Sequence, residues 1–110
     1  MSVSKAIFCA LVFMLCAGFH AGAVNQAICR PGSNVELYPG GSLKSCVLND
    51  YFRVDGIECN KQSPINFYED GLIESCILSK DTSISGQKCK QLAPIYFYAT
   101  GEFKSCVKQE

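Results

Sequence analysis

Apolar and polar positions along this chain repeat with a period of 30 residues; one 18-residue pattern opens at Cys29, Cys59 and Cys89. The opening Cys is followed by Val35, Ile65 or Ile95, then by Leu37, Phe67 or Phe97, then by Tyr38, Tyr68 or Tyr98. Gly41, Gly71 and Gly101 come next, then Leu43, Ile73 and Phe103. Ser45, Ser75 and Ser105 precede the closing Cys46, Cys76 and Cys106, and Val47, Ile77 and Val107 follow them. About ten positions agree without a gap, and a period near 30 lies in the range of repeat arrays.

Each copy predicts a β-hairpin. Ile65 to Tyr68 has the alternating, aromatic and β-branched character of a strand. Glu69-Asp70-Gly71 is the turn, with Gly suited to a left-handed position in a three-residue loop that ends in a bulge. Residues 39–41 and 99–101 fill the same slot, and Leu72 to Leu78 returns. Pro64 and Pro94 stand at the strand entrance, where a missing donor does least harm. Alternation puts Ile65, Phe67, Ile73 and Ile77, with Ser75, on a core face, and Tyr68, Leu72, Glu74, Cys76 and Leu78 on a mixed one; a bulge at Gly71 would shift one arm. Lys44, Glu74 and Lys104 either form a charge ladder between stacked copies or are three solvated charges. A further strand per unit is expected around Val54-Asp55-Gly56 and Ile84-Ser85-Gly86. The third copy lacks this piece, as terminal units of arrays often do.

The pattern begins only after an apolar leader. Lys5, the 14-residue apolar run Ala6–Phe19 and the small residues Ala21-Gly22-Ala23 predict a cleaved secretory signal over 1–23. A membrane anchor needs about 20 apolar residues, and a lipid-modified Cys16 would follow a small residue where Leu15 stands. The expected mature chain, 24–110, is one repeat domain with units 29–58, 59–88 and 89–110. It carries nine basic and ten acidic residues, a formal charge of −1. No basic patch points to nucleic acid, and membrane contact is expected only through the signal segment before cleavage.

A chain this short buries a modest core and usually needs covalent help. Six cysteines remain after the leader, an even number in an exported chain, and predict a disulfide framework. Pairing within copies gives Cys29–Cys46, Cys59–Cys76 and Cys89–Cys106. Pairing across junctions gives Cys46–Cys59 and Cys76–Cys89 and strands Cys29 and Cys106 at opposite ends. The within-copy scheme is favoured, with spacing alone leaving both open. Such a bridge is expected to lay the polar leader Asn60 to Ser63 over the mixed face.

The single His, His20, lies in the leader, so the expected mature chain has no Ser-His-Asp, Cys-His or His-zinc chemistry. A four-Cys zinc site lacks close Cys pairs, no Cys-x-x-Cys exists, and Asp50 with Asp55-Gly56 lacks calcium-loop spacing. Glu69-Asp70 reads as a solvated turn rather than an acid–base pair. No enzyme, cofactor or metal is expected. Tyr38, Tyr68 and Tyr98 either pack the second side of the sheet or form an aromatic strip for a protein or glycan partner.

The phrase Glu36-Leu37-Tyr38-Pro39-Gly40-Gly41-Ser42-Leu43-Lys44 and its copies resemble the hairpin repeats of MORN-like proteins, especially the bacterial exported variant. The likeness covers about ten residues per copy. The period is longer here, a Cys pair is added to every copy, and the second Gly of the usual repeat is missing. The resemblance implies an open array of β-hairpins with an interaction or structural role and no catalytic residues. The expectation is therefore an all-β, disulfide-stapled array of three tandem β-hairpin repeats after a signal helix, exported to a periplasm or the extracellular space. It would be a non-catalytic structural or binding module. The alternative is a small secreted inhibitor or toxin acting through the loops at 39–41, 69–71 and 99–101. The absence of an Asn-x-Ser/Thr site fits a bacterial envelope.

Overall fold

A computed structural model describes residues 24–110; the expected signal segment, 1–23, lies outside the described residues. The chain is all-β. A 3-10 turn at Gln26–Ile28 leads into ten short strands: β1 Glu36–Leu37, β2 Leu43–Val47, β3 Phe52–Val54, β4 Ile57–Cys59, β5 Pro64–Phe67, β6 Ile73–Ile77, β7 Thr82–Ile84, β8 Gln87–Cys89, β9 Pro94–Phe97 and β10 Phe103–Cys106. Among the described residues no helix is long and apolar enough to cross a membrane.

Three hairpins, β1–β2, β5–β6 and β9–β10, lie side by side in one antiparallel sheet of order β1-β2-β5-β6-β9-β10. Each turn is the expected three-residue loop. The Tyr68 N–H donates to Leu72 O (2.8 Å), the Gly71 N–H donates to Tyr68 O (3.0 Å), and Gly71 has φ +95°. Neighbouring hairpins join in one register: Cys46 faces Ile65 and Val47 faces Pro64, just as Cys76 faces Ile95 and Ile77 faces Pro94. The two prolines open β5 and β9, where they interrupt least of the ladder.

The expected further strand is a whole second hairpin. β3–β4 and β7–β8 are two-stranded arms that leave the sheet between successive hairpins. Their turns, Asp55-Gly56 and Ser85-Gly86, have positive φ at both residues (49° and 84°; 49° and 78°). That is the primed turn whose twist matches a two-residue hairpin. The first arm folds against the sheet, with Phe52 edge-on to Phe67 at 6.0 Å and Ile57 buried.

The face assignment of the returning strand is corrected. Ile65, Phe67 and Ile73 are buried as expected, but so are Cys76 and Leu78, while Ser75 and Ile77 are only half-buried. The cause is a bulge: Asn66 pairs with Ser75 and Phe67 with Ile73, which leaves Glu74 as an extra residue. One extra residue flips every later side chain to the opposite face.

The same flip turns the cystines inward. Cys29–Cys46, Cys59–Cys76 and Cys89–Cys106 are bridged, each across a separation of 17 residues with Cα atoms 5.6–5.8 Å apart. Cys59 and Cys76 are 0% and 2% exposed, so the bridge belongs to the core face and does not hold the leader over the mixed face. The leader instead hydrogen-bonds along the sheet. The Asn60 N–H donates to Ile77 O (2.7 Å) and the Gln62 N–H to Leu48 O (2.9 Å). Leu43, Leu48, Ile65, Phe67, Leu78 and Ile95 fill the core among the cystines. Disulfides of this number in so small a domain are typical of exported proteins.

Candidate binding site

Two surface features stand out: the tyrosine column and a groove beside the arms. The tyrosines directly follow the first strand of each hairpin, one per unit. The Tyr38 hydroxyl donates to Phe67 O at 2.8 Å, and the Tyr68 hydroxyl donates to Phe97 O at 2.7 Å. Each thus ties its unit to the equivalent carbonyl of the next one. Burial, then the Glu74 and Glu69 carboxylates, raise Tyr38 above the ordinary phenol value, which keeps it a donor. Tyr98 has no following unit within the described residues and is 50% exposed.

Of the two readings of Lys44, Glu74 and Lys104, the charge ladder is not formed. Lys44 Nζ lies 5.7 Å from the Tyr38 ring centre and Lys104 Nζ 5.6 Å from that of Tyr98, so these lysines turn back onto their own hairpins. The ion pair present among the described residues is on the first arm, where Arg53 meets Glu58 at 2.6 Å. The Ser79 hydroxyl also donates to Glu58. That hydrogen bond, with Arg53 and Lys80, holds the Glu58 carboxyl below its ordinary range against a smaller opposing effect of burial.

The hairpin turns sit beside one another: Ser42 Oγ donates to Glu69 O at 3.1 Å. Glu69 and Asp70 are exposed in their turn, with Asp70 Oδ1 accepting from the Leu72 N–H at 3.1 Å. Among the described residues no three His, Cys, Asp or Glu side chains are grouped to hold a metal.

The groove was not legible as a site. Phe52, Val54 and Ile57 from the first arm, Leu72 and Ile73 from the middle hairpin, Ile84 from the second arm, and Phe97 and Phe103 from the last hairpin line a space of about 490 Å³. Asp55 and Glu102 also border it. Phe97 and Phe103 pack edge-on at 6.4 Å. The signal that could have found the arms is the alternation around Asp55-Gly56, a hairpin phrase in its own right. What no sequence pattern states is that both arms fold over the same side of the sheet.

No family model matches the chain, and comparisons with curated proteins and with solved structures find no similar one.

Proposed function

We propose that the chain is an exported, non-catalytic binding module that receives apolar side chains of a protein partner in the groove beside its arms. The observation that carries this reading is the groove itself: eight apolar side chains from two arms and two hairpins around about 490 Å³. Pockets of this size and lining are the usual sites for apolar groups. The flanking Asp55 and Glu102 favour a partner segment that carries Lys or Arg beside its apolar residues.

A protein fits better than a glycan. Sugar stacking needs an open aromatic face, and lysines lie over Tyr38 and Tyr98. The hydroxyls of Tyr38 and Tyr68 are also engaged between units. Three cystines fit an oxidising compartment, periplasmic or extracellular. The hairpin array also agrees with the role that the MORN-like resemblance implies.

The test is selection from a displayed random-peptide library against the oxidised protein, with Ile84→Asp as counter-target. Apolar peptides with flanking basic residues should be enriched and should lose at least about tenfold in affinity for the variant. Enriched peptides that bind both proteins equally, or no enrichment, would refute the groove as the binding face.

A further inference from the structure

Among the described residues the sheet has two open edges, β1 and β10, and together they are the two halves of a junction that the molecule makes twice inside itself. At both internal junctions the Cys of one hairpin faces the Ile of the next. Two backbone bonds extend each ladder. Leu48 N donates to Ser63 O and Gln62 N to Leu48 O, both at 2.9 Å. Leu78 N donates to Ala93 O at 3.0 Å and Leu92 N to Leu78 O at 2.7 Å. A tyrosine hydroxyl completes each set.

The first unit keeps the receiving half. Gly32 has φ +81°, the left-handed conformation that Gln62 (57°) and Leu92 (56°) use to present their N–H groups. Val35 and Leu37 are 38% and 44% exposed, whereas their equivalents Ile65 and Phe67 are 0% and 1% exposed. The last unit keeps the donating half. Lys108 faces Cys89 as Leu48 faces Cys29 and Leu78 faces Cys59. Val107 O and the Gln109 N–H are used within the unit, so alternation points the Lys108 N–H and C=O outward. The Tyr98 hydroxyl meets no acceptor among the described residues, and Val107 is 44% exposed. The bulge in β10 does not protect this edge, because β6 carries the same bulge and pairs on both sides.

We infer that copies of this chain associate head to tail, β10 of one against β1 of the next, in the register of the internal junctions. Cys106 then faces Val35 of the second copy, and Tyr98 donates to the carbonyl of Leu37. Such a contact is heterologous and leaves a free edge at each end, so it continues into longer assemblies. It is weaker than an internal junction, because Lys108 stands where Leu48 and Leu78 are buried. It rests on the sheet edges and not on the proposed groove.

Sedimentation of the oxidised protein over ~1 µM to ~1 mM tests it. The average mass should climb with concentration and pass that of a dimer. Lys108→Pro removes the outward donor and no hydrogen bond inside the unit, and a proline is tolerated on an edge, while Leu37→Asp spoils the other edge at an exposed position. Each variant alone should be monomeric, and an equimolar mixture should form a dimer and nothing longer. Tyr98→Phe, whose hydroxyl serves nothing within one copy, should lower the association constant about fivefold. A monomeric parent, a single variant that still dimerises, or a mixture that stays monomeric would overturn head-to-tail pairing. Peptide binding in the groove is a separate readout, so either result can fail without the other.

Discussion

Tyr68 and Tyr98 hold the same place in the repeat but have different surroundings, and this makes them a matched probe of the junction. The Tyr68 hydroxyl donates to Phe97 O, while Tyr98 is half exposed. Tyr68→Phe and Tyr38→Phe should each cost about 1 kcal/mol in urea unfolding. Tyr98→Phe should change the stability of a single copy by less than about 0.5 kcal/mol. Equal losses at all three positions would show that the hydroxyls do not join units. Glu58 gives a pH-dependent test at the same scale. Its carboxyl is held below the ordinary value of 4.5. It therefore contributes stability above that value, and the contribution is lost as pH falls through the folded value. Glu58→Gln should be less stable than the parent at neutral pH, and the gap should close on acidification; a gap that widens in acid would contradict this sign.

At the scale of elements, the leaders, the cystines and the arms make the hairpins more than isolated ribbons, which are marginal in water. Leu92 holds φ +56° at a position where the first unit has Gly32. The left-handed conformation is strained for a residue with a Cβ, whereas glycine adopts it freely at some entropic cost. Leu92→Gly should therefore raise stability by about 0.5 kcal/mol, read from the denaturant midpoint. Replacing Cys59 and Cys76 together by Ala should lower stability by about 3 kcal/mol, since the bridge closes a 17-residue separation. The hairpins were legible because Gly71 marks backbone that only particular turns use, whereas each arm was expected only as one further strand although Asp55-Gly56 is a turn phrase of the same kind. The inward cystines were not legible. They depend on one extra residue, Glu74, set by the pairing of two strands and by no local preference.

At the scale of the molecule, neighbouring hairpins join through repeated junctions, so stability should follow the number of units. Deleting residues 59–88 joins Glu58 to Cys89 in the repeat register. The product should fold cooperatively with two bridges, Cys29–Cys46 and Cys89–Cys106, and a lower melting temperature. Scrambled bridges by mass spectrometry, or loss of the cooperative transition, would mean that the middle unit organises the other two.

The period, the hairpins and the resulting all-β array follow from the sequence by itself, because turn glycines, alternation and repetition act over a few residues at a time. Within-copy pairing of the cysteines was favoured because it uses all six alike, and proximity in the fold decided it. The buried side of the returning strand, the joining of units by tyrosine and the apolar groove belong to tertiary structure alone. Each depends on how one strand registers against another or on where an arm comes to rest, and those contacts link residues that no local pattern relates.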